Sequence, residues 1–150
     1  MTEQTQLDFA KPTAYIHPKA AWEKLRAASK TREDVYLYGA TGYGKTELLH
    51  RFLRRKKCQW FSARELTAAQ LQSLPAPDPE KGLIVVVDDL ALALDEDVRR
   101  EILHLIEVPE VWLVLAGRCP LPAWLTKPYV RGKLRIIPEE DLWLSGAEIT

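Results

Sequence analysis

The octapeptide GATGYGKT runs from Gly39 to Thr46, between a short apolar stretch, Val35 to Tyr38, and a segment where Leu48, Leu49, Phe52 and Leu53 recur at the helical period. A turn that carries three glycines, a lysine and a threonine from a strand into a helix leaves few folds open. Gly39, Gly42 and Gly44 permit backbone angles closed to other residues, so successive N–H groups can turn inward and form an anion nest at the positive end of the following helix. The pattern G-x-x-x-x-G-K-[ST] is matched in full, in the strand-to-helix setting where it has a mechanism. All eight residues, Gly39, Ala40, Thr41, Gly42, Tyr43, Gly44, Lys45 and Thr46, are thus candidates for binding a polyphosphate. Lys45 is expected to reach the β- and γ-phosphates, and the Thr46 hydroxyl to hold magnesium. The bland alternative is a glycine-rich connection with a surface lysine.

The rest of the chain repeats the same alternation. Pro18 can open a helix through Leu25 and Ala28, with Trp22 and Leu25 on one face. DVYLYG is a first strand and CQWFSA a second. Thr67 to Gln70 has the form of a capping box for a brief helix toward Leu74, which PAPDPEKG ends. LIVVVDD, Leu83 to Asp89, reads as a strand buried on both faces of a parallel sheet. Asp95 can cap a helix whose apolar face is Val98, Ile102, Leu105 and Ile106. VWLVLAGR is another buried strand, PLPAWL a turn with one helical half-turn at most, and KLRII a shorter last strand. Strands that alternate with helices predict an α/β, three-layer αβα sandwich around a mainly parallel five-stranded sheet. The basic residues Arg51, Arg54, Arg55, Lys56 and Lys57 are expected on the last turns of the helix after the glycine loop, complementing its dipole.

Two further positions belong to the glycine loop's chemistry. Asp88 follows a buried strand and so falls at the carboxyl edge of a parallel sheet, where a carboxylate can organise magnesium through its waters. Asp89 is placed to accept a proton from water, but it is one methylene shorter than glutamate, so hydrolysis is expected to be slow while binding is kept. Arg118 ends the next strand at the same edge and can sense a γ-phosphate through a planar, charge-assisted contact. Catalytic candidates are therefore Lys45, Asp89 and Arg118, and metal candidates Thr46 and Asp88. Read blandly, Asp88 and Asp89 are a polar strand end, and Arg118 pairs with a nearby acid.

Composition narrows the partners. With 21 Lys plus Arg against 21 Asp plus Glu among 150 residues, nothing attracts nucleic acid or an anionic membrane in general. No signal peptide or membrane span is legible, so a cytoplasmic setting is expected. Cys58 and Cys119 lack metal-ligand spacing and read as reduced thiols. The expected organisation is a flexible arm over residues 1–12, a core over 13–145, and the start of a truncated helix over 146–150.

Taken together, GATGYGKT, WFSARE, VVVDDL and LVLAGRCPLPAWL resemble the ATPase core of the STAND class of signalling P-loop NTPases. They are most similar to large bacterial transcriptional activators related to the maltose-regulon activator, with a LuxR-type output. The resemblance covers roughly residues 10 to 145. It implies a regulatory switch that binds ATP or ADP with magnesium, has weak ATPase activity, self-associates in the ATP state and feeds a separate DNA-binding region. In such proteins Gly39 to Thr46 correspond to the phosphate loop, Asp88 to the magnesium aspartate, Asp89 to the water-polarising acid and Arg118 to the first sensor. The segment from Tyr15 to Lys19 commonly helps enclose adenine; YIHPKAAWEKL lacks the usual glycine-arginine pair there, leaving Ile16 and His17 as base contacts. The family's lid and winged-helix domains have no counterpart here, and Ser145 to Glu148 form a capping box for an undelivered helix, so the chain reads as a fragment of a longer protein.

Two other functions compete. A small kinase passing the γ-phosphate to a metabolite would use Arg131, Lys133 and Arg135 as a lid, but KLRII has strand character. A DNA-binding module would use RFLRRKK, for which no recognition helix with a supporting partner is visible, so direct DNA contact by this segment is not expected.

Overall fold

The apolar runs fold as strands and the periodic segments as helices. The computed structural model describes residues 18–39, 44–90 and 94–143. The arm over 1–12, the adenine-side candidates Ile16 and His17, the loop residues Ala40 to Tyr43 and the terminal helix start over 146–150 lie outside the described residues.

In chain order the elements are α1 (Lys19–Thr31), β1 (Asp34–Tyr38), α2 (Lys45–Phe52), β2 (Cys58–Ser62), α3 (Ala68–Gln72), β3 (Leu83–Leu90), α4 (Glu96–Ile106), β4 (Val111–Gly117), α5 (Thr126–Val130) and β5 (Leu134–Ile137). The sheet order is β2-β3-β4-β1-β5. Every neighbouring pair is parallel. Side chains alternate across such a sheet, and the two faces build separate cores. Val35, Leu37, Val114 and Ala116 pack with Leu25 of α1 and Leu48 and Leu49 of α2. On the other face, Tyr36, Val85, Val87, Leu113 and Leu115 pack with Leu71 of α3 and Ile102 and Leu105 of α4. Three layers result, as the sequence pattern requires.

Local signals explain most boundaries. Thr67 and Gln70 form the expected reciprocal capping box, and Asp95 caps α4 by accepting from the Asp97 N–H. Two expectations need correction. The helix after the glycine loop stops at Phe52, with Leu53 as its C-cap, so Arg54, Arg55, Lys56 and Lys57 lie beyond it; four adjacent cations repel one another and disfavour another turn. PLPAWL carries more helix than a half-turn: a 3-10 turn at Ala123–Leu125 runs into α5. Pro128 masked this, yet it sits in the first turn of α5, where a missing N–H costs little. As expected, β3 is buried on both faces, with Val85 and Val87 in one core and Val86 in the other, and β4 is buried along its whole length.

At the amino edge of the sheet, Asp34 is 4% exposed and its Oδ1 accepts from the Leu113 N–H at 2.8 Å. Burial pushes its carboxyl up to about 8, partly opposed by that N–H. An acid whose folded value lies above its unfolded 3.8 binds more protons when folded. The stability that this group contributes is therefore greatest at low pH and is lost as pH rises from about 4 to about 8. Thermal melts should fall across this range in the native chain, whereas Asp34→Asn, which keeps the acceptor oxygen, should melt several degrees higher at pH 9, since 1 kcal/mol is worth about 2–4 °C at this size. Equal melting at pH 9 would remove the ionisation cost.

Candidate functional site

In a parallel sheet all strand carboxyl ends share one edge, and here β4 lies between β1 and β3. The residues after these three strands therefore stand in a row. The Gly39 N–H donates to the Gly117 carbonyl at 3.1 Å, tying the loop's first residue to the end of β4. Gly44, the N-cap of α2, has φ 76°, a left-handed conformation that glycine adopts without a Cβ penalty. Its carbonyl accepts the first helical bond from Leu48 at 2.9 Å.

Lys45 follows at the first position of α2 and is only 9% exposed. Its Nζ donates to the Gly39 carbonyl. Burial holds the ammonium below the usual lysine value, an effect opposed by the Asp88 carboxylate and reinforced by Arg118. The Thr46 hydroxyl donates to Asp88 Oδ2 at 2.9 Å. Two residues 42 apart in the chain, one from the glycine loop and one from β3, thus meet across the end of β4.

The two aspartates owe their placement to a break in strand register. Val87 pairs with Leu115 but Leu90 pairs with Gly117, so β3 carries one extra residue there. In a regular strand, Asp88 and Asp89 would point to opposite faces; the bulge, with Asp89 at φ 60°, lets both line one cleft. Asp88 Oδ1 accepts from the Asp89 N–H at 2.8 Å, fixing the turn. Asp89 in turn faces two guanidinium groups. Its Oδ1 pairs with Arg118 Nη2 at 3.4 Å, and its Oδ2 with Arg64 Nε.

The cleft has a volume of about 510 Å³ and is lined by Gly44, Lys45, Thr46, Asp88, Asp89 and Arg118, with Trp60 and Ser62 of β2 as a side wall. Trp60 is held by stacking on His50 of α2, ring centroids 4.2 Å apart. Every candidate among the described residues, from Gly39 and Gly44 to Arg118, therefore gathers at one edge. Lys45 does so from the start of α2, Asp88 and Asp89 from β3, and Arg118 from just after β4. Arg64, Trp60 and Ser62 escaped the sequence reading. Their signal was present: they run from the middle of β2 to just past its carboxyl end, which a parallel sheet brings to the same edge.

Magnesium with a nucleotide phosphate suits this donor set. Hard oxygen donors from Thr46 and Asp88 lie together, and a buried ammonium and the N-terminal turn of α2 stand beside them. Bound there, the metal would neutralise phosphate charge, with Thr46 and Asp88 as the residues that hold it.

No family model matches this sequence, and no curated protein matches it. Solved structures do. The chain is similar to Drosophila ORC bound to DNA, at 16% identity and TM-score 0.60, over 81% of this chain and 88% of that one. It is similar to Drosophila ORC bound to AT-rich DNA and Cdc6, at 15% identity and TM-score 0.58, over 81% of this chain and 53% of that one. It is also similar to the Thermotoga maritima RuvB Holliday junction branch migration motor, at 23% identity and TM-score 0.54, over 80% of this chain and 43% of that one. The fold is that of the P-loop NTPases. The chain spans about half the length of the latter two structures.

Gly117 closes the floor of the cleft. A Cβ built there would lie 2.6 Å from Tyr36 Oη and 3.1 Å from the Leu90 carbonyl oxygen, while the Tyr36 hydroxyl is held by the Cys119 carbonyl at 2.7 Å. Gly117→Ala should therefore destabilise by about 1–3 kcal/mol in urea unfolding. Adding Tyr36→Phe, which deletes the clashing oxygen, should cost less than the two separate changes combined.

Proposed function

We propose that this chain is a nucleotide-binding switch module that takes ATP or ADP with magnesium and hydrolyses ATP slowly or not at all in isolation. One observation carries the reading: the Thr46 hydroxyl meets the Asp88 carboxylate in a cleft whose wall includes the buried Lys45. A surface lysine on an ordinary glycine turn has no reason to be buried, since desolvating an ammonium is costly unless anions are to meet it. The likeness to P-loop structures supports the same reading, because that fold places its phosphate loop after the first strand.

Slow hydrolysis follows from Asp89. As an aspartate it is one methylene shorter than glutamate, and both of its oxygens already face guanidinium groups. A candidate base must reach water at hydrogen-bond distance, which this geometry discourages. The finer assignment, a STAND-class switch within a cytoplasmic, signal-responsive transcriptional regulator, rests on the sequence resemblance. Its partners are then a second copy of the chain or further domains of the same longer protein. With balanced charge this segment is not proposed to bind DNA itself.

Titration with Mg-ATP and Mg-ADP tests the proposal. Lys45→Ala should weaken both by about 100-fold or more, the scale on which single charged contacts to developing or fixed anions act. Thr46→Ala should reduce the dependence of ATP affinity on magnesium. Circular dichroism melts would confirm that both variants are folded, and equal affinity in folded Lys45→Ala would remove the reading.

A further inference from the structure

Asp89 is the most constrained side chain in the cleft. It adopts a left-handed backbone conformation, φ 60°, that a non-glycine residue reaches only under strain. Its carboxylate is 29% exposed, and each of its oxygens is engaged by a different arginine. Arg118 comes from the end of β4, whereas Arg64 comes from the turn after β2, two residues past the strand. The Arg64 N–H reaches back to Ser62 Oγ at 3.4 Å, so the turn that presents its guanidinium is itself tied to the cleft wall.

On this geometry we propose that Arg64 is an inhibitory clamp, a positioning residue that holds the Asp89 carboxylate away from the attacking water and sets the low rate of ATP hydrolysis. The inference rests on the nucleotide-binding reading above. In hydrolysis the water oxygen bonds to the γ-phosphorus while the bond from that phosphorus to the β–γ bridging oxygen breaks. The bridging oxygen leaves on ADP with the electron pair, and the water's proton passes to an acceptor, for which Asp89 is placed. A carboxylate turned onto two planar forks offers water fewer lone pairs and a fixed wrong direction. Arg64 is the removable half of that pair. Its side chain is 65% exposed, and it is not among the described residues that line the cleft. Arg118 lines the cleft and so also faces the nucleotide.

An ion pair this exposed is weak, so its release should change the rate by about two- to fivefold rather than by orders of magnitude. The test compares single-turnover phosphate release from Mg-ATP, and ATP affinity on the same samples, in the native chain, Arg64→Ala, Arg64→Lys, Asp89→Asn and the double variant Arg64→Ala with Asp89→Asn. The clamp predicts faster release by Arg64→Ala at unchanged ATP affinity and melting temperature, an intermediate rate for Arg64→Lys, and no gain in the double variant. An unchanged or slower rate in an Arg64→Ala protein that still binds ATP would overturn it. So would a gain that survives Asp89→Asn. Failure of the native chain to bind ATP would overturn the nucleotide reading and this inference with it, and it shows in the binding arm, not the rate arm.

Discussion

The position of β4 between β1 and β3 is the constraint on which the site depends. Parallel pairing sends the ends of all three strands to one edge, and the interposed strand sets the span between the glycine loop and the two aspartates. That span is bridged by the Thr46 to Asp88 hydrogen bond at 2.9 Å. A strand buried along its whole length is a rigid spacer, because any shift would break packing on both faces. The chemistry at the edge is therefore positioned by the least deformable part of the molecule.

Against that rigid spacer, β3 is locally irregular. One extra residue between Val87 and Leu90 breaks the alternation that would otherwise send Asp89 into the opposite layer. The turn is held by three contacts: the Asp89 N–H on Asp88 Oδ1, and the two arginines on the Asp89 carboxylate. Backbone strain and charge pairing thus sit on one residue. A change that loosens the pairing also loosens the turn, which makes this corner of the cleft its most responsive part.

Much of this was legible in the sequence for reasons that are local. The run Leu83 to Val87 and the run Val111 to Ala116 are too apolar to be anything but interior strands, and the glycine loop between Tyr38 and Leu48 has one strand-to-helix role. From those positions the row of Lys45, Thr46, Asp88, Asp89 and Arg118 follows by sheet topology alone. The bulge did not follow, since nothing in VVVDDL distinguishes an irregular strand from a regular one. Arg64 did not follow either: one arginine in SARELT looks like any surface cation until β2 is known to lie beside β3. The end of α2 was misplaced because apolar periodicity continues to Leu53 while charge repulsion beyond it acts against the helix. Long-range pairing is the feature that a window of neighbouring residues cannot contain, whereas the crowded charge of Arg54 to Lys57 is local and opposes the helix that apolar periodicity alone extends.

The two edges of the sheet also differ in how their polar groups are satisfied. At the amino edge, two contacts join side chains to the backbone of the neighbouring segment: Asp34 accepts from the Leu113 N–H, and the Trp112 indole donates to the Glu33 carbonyl at 2.8 Å. These groups fasten β1 to β4, and no ligand could replace their partners without parting the strands. At the carboxyl edge, the side chains of Thr46 and Asp88 pair with each other and that of Asp89 pairs with Arg64 and Arg118, and all of these but Arg64 line the open cleft. Such contacts can be exchanged for a phosphate or a metal without disturbing the sheet. A buried backbone partner builds the fold, whereas a side-chain partner at the rim can be given up, and that asymmetry between edges is what makes one end of this sheet structural and the other fit to bind.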